Sequence, residues 1–143
     1  IIPRTKVLAD EKGGYTVAVY WGLDEVRVLR NLGVKAAPSP ILRSYDWPGR
    51  FKPMSHQRDT AAFLTLNRRA FCFNEPGTGK TLSALWAADY LMRIKEVRRA
   101  LVLCPLSIMQ SAWMQDLMHS VVHQDFIRPD IQVMVIQRIT PSY

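Results

Sequence analysis

Apolar and polar positions follow two different periods along this chain, and the change between them divides it. Lys6-Val-Leu-Ala and Tyr15-Thr-Val-Ala-Val-Tyr20 read as strands flanking Glu11-Lys-Gly13-Gly14. The Gly-Gly pair supplies the positive φ values a tight turn needs, so residues 4–20 are expected to form a β-hairpin. From Leu23 to Leu32 the spacing becomes helical. Val26, Leu29 and Leu32 fall along one face, Asp24 lies near the start, and Gly33 suits the C-terminal cap. Pro38, Pro40, Pro48 and Pro53 then interrupt any regular element, and residues 38–53 read as a connector.

Beyond the connector, helical and strand-like runs alternate. Helices are expected over Ser55–Leu66, Lys80–Ile94 and Ser107–Val121, with strands over Arg69–Phe73, Ala100–Cys104 and Ile131–Gln137. Short apolar runs alternating with helices predict an α/β fold: a parallel sheet with helices on both faces over residues 54–143. A small α+β hairpin-helix unit over residues 1–37 precedes it. Leu85, Trp86 and Tyr90 read as the core face of their helix.

The segment Asn74-Glu-Pro-Gly-Thr-Gly-Lys-Thr81 lies between an apolar run, Ala70-Phe-Cys-Phe73, read as a buried strand, and a helix. Strand, Gly-rich loop, Gly-Lys-Thr and helix is the context of a phosphate-binding loop. Gly77 and Gly79 let the backbone curl so that several N–H groups face one anion, and the helix N-terminus adds partial positive charge. Lys80, the candidate catalytic residue, would reach the β- and γ-phosphates of ATP, and Thr81 would offer its hydroxyl to Mg²⁺. The general pattern begins with Gly, whereas this chain has Asn74 there. The alternative, a Gly-rich turn that binds nothing, is disfavoured by the Lys-Thr pair at the helix start.

Composition adds little that is specific. With 143 residues, 48% hydrophobic and 22% charged, the chain is long enough for one globular core. A net charge of +7 favours a polyanionic partner, although the basic residues are scattered, with Arg68-Arg69 and Arg98-Arg99 as adjacent pairs. No apolar run approaches the roughly 20 residues that would span a membrane. Cys72 and Cys104 sit in apolar runs and read as buried thiols of a reduced compartment. His119 and His123 share a helical spacing but have no third ligand, which favours ordinary surface histidines over a metal site.

Two further segments carry candidate chemistry. Gln57, in Phe51-Lys-Pro-Met-Ser-His-Gln57, offers a donor and an acceptor side by side, as an adenine edge requires. Spacing alone favours a polar residue on an exposed helix face. Leu101-Val-Leu-Cys-Pro-Leu-Ser107 reads as a strand end followed by a Ser-capped helix. Such an end can also hold a nucleic-acid phosphate.

Taken in order, Gln57, Asn74–Thr81 and Cys104-Pro-Leu-Ser107 followed by Trp113 resemble superfamily-two helicases, and within them the Swi/Snf-like DNA translocases, including phage-encoded relatives. The resemblance covers roughly residues 51–137. The family loop commonly reads Asp-Glu-x-Gly-x-Gly-Lys-Thr, so Asn74 stands where those proteins often carry Asp. The resemblance implies a partial RecA-like domain in which Gln57 reads adenine and Glu75, Pro76, Gly77, Thr78, Gly79, Lys80 and Thr81 hold ATP and Mg²⁺. It implies that Pro105, Leu106 and Ser107 lie near a DNA backbone, and that a second RecA-like domain of the same polypeptide completes the motor. Double-stranded DNA is the expected partner, in a cytoplasmic, nucleoid-associated setting. Residues 1–37 are expected to be an accessory unit that packs on the motor or binds DNA or a protein.

These enzymes also need an Asp-Glu-x-His motif, whose carboxylates hold Mg²⁺ and activate water. No such run follows the loop here. With Ile1 at its start and Tyr143 at its end, the chain reads as a piece of a longer protein, expected to bind nucleotide without turning it over alone. Two other readings compete. One is an AAA-type ATPase, whose loop differs little. The other is a non-catalytic, truncated helicase-like module that binds DNA or a protein.

Overall fold

A computed structural model describes residues 4–9, 13–120 and 131–135. Strands β1 (Thr5–Ala9) and β2 (Tyr15–Val19) pair antiparallel, with Thr5 opposite Val19 and Ala9 opposite Tyr15. Gly13 takes φ 77° in the connection, the conformation for which a residue without Cβ is suited. Helix α1 (Leu23–Asn31) follows and buries Leu23, Glu25 and Val26. Its apolar face is short, and three polar links, two from α1 and one from Trp21 just ahead of it, tie it to the rest of the chain. Arg27 pairs with Glu96 and donates to the Thr65 carbonyl at 2.9 Å, while Trp21 Nε1 donates to the Pro38 carbonyl at 2.8 Å.

The proline-rich stretch is packed rather than merely spanning. It carries a short helix, α2 (Ile41–Ser44), and its Ile41, Tyr45 and Trp47 join Ala61, Ala62, Trp86, Ala87 and Tyr90 in the main core. The rings of Tyr45, Trp47, Trp86 and Tyr90 meet edge to face at 5.2–5.7 Å, the geometry favoured by aromatic quadrupoles. Trp86 is fully buried and its indole N–H, which burial would otherwise leave unsatisfied, donates to the Pro48 carbonyl at 2.9 Å. Trp47 adopts φ 51°, which costs a non-Gly residue about 1–2 kcal/mol. Its ring is buried between those of Tyr45 and Trp86.

Helices α3 (Ser55–Leu66) and α4 (Lys80–Arg93) pack together against this stretch. Trp86, Ala87 and Tyr90 of α4 face the main core, but Leu85 and Met92 do not. They turn to a second cluster with Leu117, flanked by Trp113, Val97 and Ala100. The expected single core face of α4 is therefore two, which fits a helix buried from both sides.

The remaining elements are β3 (Ala100–Cys104), α5 (Leu106–Ile108), a π-helix (Met109–Met114), α6 (Gln115–Ser120) and β4 (Ile131–Val135). β3 and β4 pair parallel, Ala100 opposite Ile131 and Cys104 opposite Val135. A parallel pair joined through helices is the unit expected from the alternating pattern. Cys104 is buried, whereas Leu101 and Leu103 are more than half exposed, so one face of β3 is covered. The expected extension of the last strand to Gln137, the end of the last helix at Val121, and His123 lie outside the described residues.

Three expectations need correction. Residues 69–73 are not a buried strand. Phe71 and Phe73 are 81% and 90% exposed and stack on each other at 5.7 Å, while Cys72 between them is half-buried. The period of two is that of a strand, but no strand among the described residues pairs with this segment, and a strand is defined by its partner. Secondly, the helix expected from Ser107 begins at Leu106, with Pro105 rather than Ser107 at its N-cap, because proline's missing N–H and fixed φ suit a helix start. Its middle is a π-helix, whose extra residue per turn is invisible to a periodicity read over so few residues. Thirdly, Gln57 is not on an exposed face; it is 3% exposed.

Candidate nucleotide-binding site

The Gly-rich loop runs from Asn74 to Gly79 and delivers Lys80 as the first residue of α4. Gly77 and Gly79 have φ of 79° and 70°, so both turns of the loop rest on residues without Cβ. They differ in surroundings. A Cβ at Gly77 would meet nothing, whereas one at Gly79 would strike the Gln57 carboxamide. Gly79 is thus required both by its dihedral and by the approach of α3.

Lys80 turns its ammonium into the loop. Nζ donates to the Asn74 carbonyl at 2.7 Å and the Glu75 carbonyl at 2.8 Å. Thr78 Oγ1 donates to the same Glu75 carbonyl at 2.8 Å, closing the turn through Pro76 and Gly77. Glu75 and Pro76 are exposed, and Thr78, Lys80 and Thr81 are half-buried. A cation, a helix N-terminus and a curled backbone meet at one end of α4, the donor set that suits an oxyanion.

Helix α3 braces this loop along one face. His56 Nε2 lies 3.1 Å from the Thr78 carbonyl, which requires the tautomer with the proton on Nε2. Gln57 Nε2 donates to the Gly79 carbonyl at 3.5 Å, and Gln57 Oε1 accepts from the Met54 N–H at 2.9 Å, capping its own helix. Asn74 Nδ2 donates to Thr60 Oγ1 at 2.9 Å. Gln57 is among the residues expected from the sequence, whereas His56 and Thr60 are not. Their four-residue spacing on a helix, beside Gln57, was the available signal.

Pro105, Leu106 and Ser107 stand exposed at the carboxyl end of β3. Ser107 does not cap the helix; its carbonyl accepts from Ser111 Oγ at 3.4 Å. No group of three or more His, Cys, Asp or Glu side chains among the described residues is placed to hold a metal ion. No helix among them is long and apolar enough to cross a membrane.

The loop, its α3 brace and the β3 end lie within residues 50–139, which match the family model described as the SNF2-related domain. The chain belongs to this Swi/Snf-like helicase family. Neither the curated proteins nor the solved structures give a match. Within the SNF2-related segment fall all three elements that carried the resemblance: Gln57, Asn74–Thr81 and Pro105–Ser107. Residues 1–49, with the hairpin, α1 and α2, precede the match.

Proposed function

We propose that this chain is the ATP-binding portion of an ATP-dependent DNA helicase or translocase of Swi/Snf-like, phage-type kind. The observation that carries the reading is the Lys80 ammonium, held inside a loop of two positive-φ glycines at the start of α4. Triphosphate oxygens would take Lys80 and the loop N–H groups as donors. Gln57 would read the adenine. Its carboxamide lies beside the loop, accepting from the Met54 N–H and donating to the Gly79 carbonyl, and at 3% exposure it would turn outward to meet a base edge. Mg²⁺ fits the donors present only as a phosphate-borne ion, with the Thr81 hydroxyl as its protein ligand and water filling the rest.

DNA would pass along the exposed Pro105–Ser107 end of β3, held through its backbone and drawn by the chain's positive charge. Movement along the duplex requires a second RecA-like domain that closes over ATP. The SNF2-related match supports this reading over an AAA-type ATPase. The test is calorimetry of Mg-ATP binding: Lys80→Ala should abolish it, and retained affinity would overturn the assignment of the loop.

A further inference from the structure

Thr60 lies one turn beyond Gln57 on α3, and two bonds tie it to the phosphate loop's cation. Its hydroxyl donates to the His56 carbonyl at 2.8 Å, which aims its oxygen lone pairs outward. Asn74 Nδ2 donates to that oxygen at 2.9 Å, and the Asn74 carbonyl in turn accepts from Lys80 Nζ at 2.7 Å. The chain of contacts is therefore Thr60 to Asn74 to Lys80. Because the Thr60 proton is committed to His56, its partner must be a donor. The Asn74 amide supplies one, and an ionised Asp at the same place would not. The departure of this chain from Asp at the loop's first position thus has a partner in the fold.

From this geometry we propose that Thr60 is a positioning residue for nucleotide binding, acting through the Asn74 side chain to fix the carbonyl that orients Lys80. The proposal rests on the reading of the loop as a phosphate site. His56 adds a second hold, on the Thr78 carbonyl, so that α3 grips the loop on either side of its apex. Neither contact touches a phosphate. Their effect is to set the loop's shape before a ligand arrives, which lowers the ordering cost of binding.

The test uses the intact chain and two readouts: Mg-ATP affinity by calorimetry, and hydrogen exchange of the loop amides at 75 and 77–80 without nucleotide. Thr60→Val keeps the shape but removes both hydrogen-bonding functions. It should weaken affinity by about three- to tenfold, the effect of one neutral hydrogen bond, and speed loop exchange. Thr60→Ser should restore both. Asn74→Ala, on the exposed loop where it threatens no core, should reproduce the loss, and Thr60→Val with Asn74→Ala should be no worse than either alone. Wild-type affinity and wild-type exchange in Thr60→Val would overturn the proposal, as would additive losses in the double variant. Retained affinity in Lys80→Ala would instead overturn the phosphate-site reading, while the exchange measurement still decides whether Thr60 sets the loop.

Discussion

The Tyr45 hydroxyl donates to Asp89 Oδ2 at 2.6 Å inside the core, joining the proline-rich stretch to the helix that follows the phosphate loop. Arg93 Nε approaches the same Asp89 oxygen at 2.9 Å, so the buried carboxylate has both a hydroxyl and a cation. Burial, and then the charge of Asp89, push the Tyr45 phenol well above its usual range, which keeps it a donor. Tyr45→Phe would leave a buried acceptor short of one donor. It should cost about 1–3 kcal/mol in urea unfolding, with the m-value unchanged.

The two loop glycines should respond differently to a methyl group. Gly77→Ala meets open space and carries only the backbone penalty, about 1–2 kcal/mol. Gly79→Ala adds a collision with the Gln57 carboxamide and displaces either α3 or the loop. The expected outcome is a larger loss of melting temperature and of Mg-ATP affinity in Gly79→Ala than in Gly77→Ala, read by calorimetry.

The hairpin unit should be acid-sensitive. Arg4 donates to Glu25 through Nε at 2.6 Å and Nη2 at 3.0 Å. This bond holds the Glu25 carboxyl below its usual range, against the opposing effect of burial. A depressed carboxylate pKa stabilises the fold above the unfolded-state value, near 4.5, and that contribution is lost as pH falls through the folded-state value. Amide protection in β2 and α1, measured relative to the intrinsic exchange rate at each pH, should therefore fall below about pH 4.5. Glu25→Gln should remove that pH dependence, and an unchanged acid response would count against the pair.

Phe71 and Phe73 should contribute little to the stability of this chain despite their size. Exposed and stacked on each other, they should tolerate replacement by Ser together with a change within about 0.5 kcal/mol. A loss of several kcal/mol would show that the segment is buried after all.

The features legible in the sequence were those set by near neighbours along the chain. Gly79, Lys80 and the start of α4 follow from local spacing, and so does the hairpin around Gly13. What escaped depends on contacts across the fold. Nothing near Trp47 in sequence announces that its ring packs on Trp86, or that Pro48 accepts the indole proton, so prolines that break helices read as a connector. Gln57 looked exposed because its cover comes from Gly79, on another element. Phe71 and Phe73 carried a strand's alternation, but a strand also needs a neighbour to bond, which the segment alone does not specify. Of the site, the loop was readable and its brace was not, because His56 and Thr60 gain their roles only when α3 lies beside the loop.

Helix α4 joins two places that the sequence keeps far apart. Its first residue, Lys80, is the loop's cation; Trp86 and Asp89 in its middle are bonded to Pro48 and Tyr45, and its last residue, Arg93, to Asp46 at 2.8 Å. At 14 residues it is a rod about 21 Å long, tethered along most of its length by the proline-rich stretch. Such a rod transmits tilt rather than absorbing it. A shift of the loop at one end must either carry residues 45–48 with it or break their bonds to the helix, so that stretch is the natural place to look for a lever arm.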